Sequence, residues 1–179
     1  MRITTGFGLV RTSAWAGILG LMLLLIGLPA RASGELPSPE GRVILTITGN
    51  IQHTNRGSDA RFDLAMLEQL PQQEFTTDTP WTDGEHHFRG VALSGLLEHV
   101  GAEGKTVRLV ALNDYHHDID MQLVKRTPFL LVTHLDGQTM KIRDKGPIWL
   151  MLPLSDNNRY NTKRFHEMLV WQLKSLDIQ

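Results

Sequence analysis

The chain has 179 residues, 41% of them hydrophobic, 7% aromatic and 21% charged, with 18 Lys and Arg against 19 Asp and Glu and no cysteine. These values fit one ordinary globular domain. The missing cysteine excludes a disulfide scaffold, a thiolate zinc site, an iron–sulfur cluster, a thiol nucleophile and a cysteine-held molybdenum, and a net charge of −1 leaves no electrostatic footprint for nucleic acid.

Arg2 and Arg11 precede an uncharged stretch, Thr12 to Ala30, whose apolar centre runs from Ile18 to Ile26. A basic start, a short apolar centre and the small-residue ending Ala30-Arg31-Ala32 predict a secretory signal peptide over residues 1–32, cleaved after Ala32. A retained anchor is the alternative, because the stretch approaches the roughly 20 residues that span a bilayer. Residues 33–41, rich in Ser, Gly and Pro, read as a linker to a single domain over 42–179. Loss of residues 1–32 removes three of the 18 basic residues and none of the 19 acids, leaving a net charge of −4. No adjacent arginine pair precedes the apolar centre, so the twin-arginine route for folded proteins is not expected. The expected location is the periplasm, reached by the general pathway.

Arg42 to Thr48 is β-branched and reads as a first strand, followed by a polar stretch from Ile51 to Ala60. Asp63 is placed to cap a short helix with Leu64, Leu67 and Leu70 on one face, stopped by Pro71. Glu74 to Thr77 predicts a short strand running into the turn-rich 78–84, whose Trp81 is a large indole that reads as a core residue first and as a cleft lid second. Leu93, Leu96, Leu97 and Val100 have helical spacing and end at Gly101, a natural residue just past a helix.

Thr106 to Leu112 alternates like a strand and delivers Asn113-Asp114-Tyr115-His116-His117-Asp118 at its end. Asp120 is placed to cap a helical turn through Lys125, and Phe129 to His134 predicts another strand. Asp136-Gly137 closes a hairpin onto Gln138 to Ile142. Arg143 to Pro147 is a charged turn, Ile148 to Leu152 a buried-type strand, and the tail after Val170 a last strand. About seven strands and two or three helices without regular alternation predict an α+β fold with a mixed sheet.

All eight histidines follow residue 32, at 53, 86, 87, 99, 116, 117, 134 and 166. The adjacent pairs 86/87 and 116/117 would point to opposite faces of a strand, and no His-x-x-x-His or His-Glu-x-x-His spacing exists. A His-based metal-binding protein therefore needs residues from separate loops. There is no Gly-x-Ser-x-Gly elbow, no Gly-x-Gly-x-x-Gly and no phosphate-binding loop. What remains is a gathering of Asn, Tyr, His, Arg and Lys at strand ends, which suits a small anionic or polar ligand; the plainer reading makes Asn113-Asp114 turn formers and Arg143 and Lys145 a solvated cluster.

The order Phe75-x-Thr-x-Thr-Pro-Trp-Thr-Asp-Gly, Phe88-Arg-Gly-Val-x-Leu-x-x-Leu-Leu-x-x-x-Gly-Ala, Ala111-Leu-Asn-Asp-Tyr and His134-Leu-Asp-Gly to Gly146-Pro147 and Pro153 resembles the oxidoreductase molybdopterin-binding domain family over roughly residues 43–155. The resemblance implies the sulfite-oxidase fold, an α+β architecture with a mixed β-sheet system. The candidate cofactor or ligand site is Thr77, placed by the resemblance, with Asn113, Tyr115, His116, Arg143 and Lys145, placed by their position at strand ends. Where active members carry the molybdenum-ligand cysteine, counting back from Trp81 finds Thr77, whose hydroxyl is no substitute for a thiolate. Where they carry a cofactor-holding arginine, this chain has Trp149, a single neutral donor. The expectation is a non-catalytic exported domain, with no cofactor, that uses the cleft for a small ligand or an envelope protein partner, with a place in envelope signalling as one role. A molybdopterin-dependent oxidoreductase without a protein thiolate on the metal is the alternative, and a His-based metal-binding protein the second.

Overall fold

The computed structural model describes Met1 and residues 36–179. The signal peptide expected over 1–32, its cleavage site at Ala32 and residues 33–35 of the expected linker lie outside the described residues, whereas residues 36–41 of that linker are described and tied to the domain, Leu36 being buried and Glu40 and Gly41 bonded to Asp63.

The described chain is α+β. Ten strands and four short helices are present among the described residues, in two sheets. The first sheet is built from β1 (Leu45–Gly49), β2 (Ala60–Phe62), β5 (Thr106–Ala111), β6 (His116–Asp120) and β10 (Leu173–Ile178), in the order β2-β1-β10-β5-β6. The pair β1 and β10 is parallel, with Thr46 beside Ser175 and Gly49 beside Ile178, whereas the other pairs are antiparallel, so this sheet is mixed. The second is antiparallel: β3 (Gln72–Asp78), β4 (Glu85–Ala92), β7 (Leu130–Leu135) and β8 (Gln138–Thr139), with β9 (Trp149–Met151) also on β7.

Alternation puts Leu45 and Ile47 of β1, Val107 and Leu109 of β5 and Leu176 and Ile178 of β10 into one core, and the register shift between Leu173 and Ser175 brings Leu173 into it as well. Strand β7 is buried along almost its whole length, as a run of Leu130-Leu131-Val132-Thr133-His134 requires when both faces are covered.

The helices follow their caps. In α1 (Leu64–Glu68) the Asp63 carboxylate accepts the Met66 N–H at 2.9 Å, and in α3 (Met121–Arg126) Asp120 accepts the Leu123 N–H at 3.0 Å. Helix α2 (Leu93–His99) buries Leu93, Leu96 and Leu97 and passes into Gly101 at φ +62°. The fourth, α4 (Lys163–His166), is a single turn. None of the described helices is long and apolar enough to cross a membrane.

The structure differs from the expected elements in several places. Strands β2 and β4 and the short helix α4 were not expected, and neither was β6, an edge strand with one apolar residue; it is held by the register Arg108 opposite Asp118, where the Arg108 guanidinium donates to both carboxylate oxygens at 2.8 and 2.9 Å. The first strand begins at Leu45, not at Arg42. The hairpin at Asp136 and Gly137, both with positive φ, continues only through Thr139, after which Ile142–Asp144 forms a 3-10 turn.

Candidate functional site

The site is built at the C-terminal end of β5. Asp114 takes a left-handed conformation at φ 64°, with its N–H on the Ala111 carbonyl at 3.1 Å. The Asn113 Oδ1 accepts the Tyr115 N–H at 3.1 Å, an Asx turn that sets Tyr115 going into β6. Lys174 donates to the Asp114 carboxylate at 2.6 Å; that hydrogen bond and the ammonium charge hold Asp114 below the usual carboxylate range.

Above this turn lies a cleft of about 510 Å³ whose floor is Ala111, Leu169 and Val170. Its walls carry Trp81, Tyr115, His166 and Trp171, with Asn113, Lys163 and Glu167 as the other polar side chains. Trp81 organises the rings. Its indole stands edge-on to Trp171 at 6.0 Å, to His166 at 5.2 Å and to the buried Trp149 at 5.9 Å. Strand β9 fixes the floor from behind, because the Trp149 indole N–H donates to the Leu169 carbonyl at 3.1 Å and the Leu150 N–H to the Val170 carbonyl at 2.9 Å. The Tyr115 hydroxyl donates to the Glu167 carbonyl at 3.3 Å, and His166 Nε2 meets Asn161 Oδ1 at 2.9 Å.

Of the six residues singled out in the sequence, Asn113 and Tyr115 line this cleft and the other four do not. Thr77 is wholly buried in β3: its hydroxyl donates to the Asp78 carbonyl at 3.1 Å, accepts the Ser155 N–H at 2.9 Å and meets Ser155 Oγ at 2.9 Å. His116 opens the edge strand β6 and is exposed. Arg143 is exposed, with Nε 3.4 Å from Asp144, beside a shallow groove shared with Arg42 and Lys141. Lys145, at φ 71°, sets its ammonium 5.4 Å from the centre of the Trp149 ring. Sequence reasoning missed His166, Lys163, Glu167 and Trp171, which lie in a segment with no clear period.

Molybdopterin, which the resemblance implies, finds no fitting donor set here. The Thr77 hydroxyl already donates its one hydrogen to the Asp78 carbonyl and accepts the Ser155 N–H. Trp149, at the arginine's place, is wholly buried with its only N–H on a main-chain carbonyl. Among the described residues no three His, Asp or Glu side chains converge on one point, and no helper from the eight histidines changes that.

No family model matches the chain, and no curated protein matches it by sequence. One solved structure similar to it is the sulfane dehydrogenase SoxCD from Paracoccus pantotrophus. The TM-score is 0.54 at 18% identity, over 75% of this chain and 37% of that one. The likeness is one of fold. This chain spans well under half the length of that protein.

Proposed function

We propose that this chain is an exported, non-catalytic domain of sulfite-oxidase-like fold that binds a small ligand in the cleft between Trp81, Tyr115 and Trp171. The observation that carries the reading is the cleft itself. Its volume falls within the roughly 300–1,000 Å³ of small-molecule sites, and it pairs an apolar, aromatic lining with a few polar side chains. The fold reading is supported by the likeness to a sulfane dehydrogenase, an oxidoreductase by its name, and by the ordered motifs from Phe75 to Pro153. The loss of redox chemistry is supported by the absence of any cysteine and by the buried Thr77 hydroxyl, which is held by Asp78 and Ser155. Export to the periplasm rests on the basic, apolar and small-residue succession of residues 1–32.

A ligand that binds only the folded chain raises its unfolding temperature by mass action. Thermal unfolding in the presence of fractionated periplasmic small molecules is expected to find a stabilising fraction. That stabilisation should vanish in Asn113→Ala and in Tyr115→Ala, both of which leave the core intact. Equal stabilisation of both variants and the parent chain, or no stabilising fraction at all, overturns the assignment of the cleft.

A further inference from the structure

Several unengaged polar groups of the cleft are donors. Asn113 has its Oδ1 occupied by the Tyr115 N–H, while its Nδ2 has no acceptor among the described residues. The indole N–H groups of Trp81 and Trp171 likewise donate to no protein acceptor among the described residues, in contrast to Trp149. Lys163 adds an ammonium at the mouth. It faces the Glu167 carboxylate at 4.0 Å but is 91% exposed, so the pair is loose and the ammonium is free to turn. On the acceptor side stand that same paired carboxylate and one nitrogen of His166, whose other nitrogen meets Asn161.

The apolar part is equally selective. Among the described residues after Met1, the exposed large hydrophobic side chains are Val43, Leu112, Tyr115, Ile142 and Trp171, and the two aromatic ones both flank this cleft. Each leaves ring surface in water, a cost that a bound ring would remove. Planar walls favour a planar guest, since aromatic pairs gain beyond their buried area through stacked or edge-on contact.

Resting on the reading of the cleft as a small-molecule site, we infer that its ligand is a planar aromatic carboxylate. The ring lies among Trp81, Trp171 and Tyr115, and the carboxylate accepts from the Asn113 amide and the Lys163 ammonium. A quaternary ammonium, the other common guest of aromatic walls, gains from the rings but meets Lys163 at the mouth.

The test is calorimetric titration of the purified chain with four probes: 2-naphthoate, 2-naphthylmethanol, cyclohexanecarboxylate and (2-naphthylmethyl)trimethylammonium. Naphthoate is expected to bind about tenfold more tightly than cyclohexanecarboxylate, and more tightly than the alcohol or the ammonium. Trp171→Ala, at an exposed position, is expected to weaken naphthoate about tenfold. Lys163→Met should weaken it about threefold and leave the alcohol unchanged. Preference for the ammonium, parity of the naphthyl and cyclohexyl acids, or naphthoate binding indifferent to Trp171→Ala overturns the ligand class while leaving a cleft that binds something. Failure of all four probes at millimolar concentration overturns the ligand class, while loss of the extract-derived stabilisation in Asn113→Ala and Tyr115→Ala decides the cleft separately.

Discussion

Ser155 and Thr77, 78 residues apart in sequence, hold each other: the Ser155 N–H donates to the Thr77 hydroxyl at 2.9 Å, and the two hydroxyl oxygens lie 2.9 Å apart. The Asp78 N–H donates to Ser155 Oγ at 3.1 Å, and the Asp78 carboxylate accepts from the same hydroxyl. The position at which the family resemblance would set a metal ligand is therefore a clasp between the end of β3 and the loop after β9.

Replacing Thr77 by Val keeps the shape and removes the hydroxyl. The Ser155 N–H then loses its acceptor, and the loss of that hydrogen bond is expected to cost about 0.5–1.5 kcal/mol. Urea unfolding should show that loss for Thr77→Val and a much smaller one for Thr77→Ser, which keeps the oxygen. Equal stability of Thr77→Val and the parent would deny the clasp its role.

Trp149 joins the second sheet to the cleft floor through its N–H on the Leu169 carbonyl and its ring contacts with Trp81 and Phe88, at 5.9 and 5.8 Å. Trp149→Phe removes the hydrogen bond and part of the packing and is expected to cost about 2–4 kcal/mol. Trp149→Arg, the residue type of the family pattern, would bury an unpaired guanidinium, and the chain is expected to be recovered unfolded. Circular dichroism of a soluble, cooperatively unfolding Trp149→Arg would refute this.

Asp63 links three backbone donors: its Oδ2 accepts from Gly41 at 2.7 Å and Glu40 at 2.9 Å, while Oδ1 caps α1. The Gly41 N–H, then the Met66 N–H, hold its carboxyl below the usual range, against the opposing effect of burial. A carboxyl lowered on folding adds stability that is present above its unfolded value near 3.9 and is lost as pH falls through its folded value. Unfolding free energy should therefore decline as pH drops below about 4, and Asp63→Asn should flatten that decline while lowering stability at pH 7. An identical acid profile for Asp63→Asn would contradict the assignment.

Gly90 sits at the register shift between β4 and β7, where a Cβ would stand 2.0 Å from the Leu131 carbonyl oxygen. That contact is with backbone and has no side chain to yield. Gly90→Ala is expected to part the two strands locally and to lower the thermal midpoint by more than any surface substitution does. A midpoint unchanged from the parent would rule out the close approach.

The features that the sequence showed plainly are the local ones. Asp63 and Asp120 act on N–H groups three residues on, and Gly101 supplies the left-handed exit of α2, so each is visible in a short window. Strands β2 and β6 are not: β2 alternates Ala60-Arg61-Phe62 over only three residues, too short a run to read, and β6 has a single apolar residue and exists through pairing with β5 and the Arg108–Asp118 bridge. The same division runs through the site. Asn113 and Tyr115 share one turn and were legible together, whereas Trp81 was visible as a loop indole whose place in core or cleft the sequence left open; it packs against the core and also lines the cleft. His166 and Trp171 meet Trp81 only through the tertiary fold, and no spacing signals it. Arg143 and Lys145 were visible as a charged turn, but the direction of their side chains depends on the 3-10 turn and the left-handed Lys145.

The claim most central to this account is that the domain works without the redox cofactor of the family it resembles. It is tested by measuring molybdenum by elemental mass spectrometry, and oxidised pterin by fluorescence, on the chain purified from its native envelope. Both are expected to be absent at any stoichiometric level. One molybdenum and one pterin per chain would contradict the account and turn attention back to Thr77.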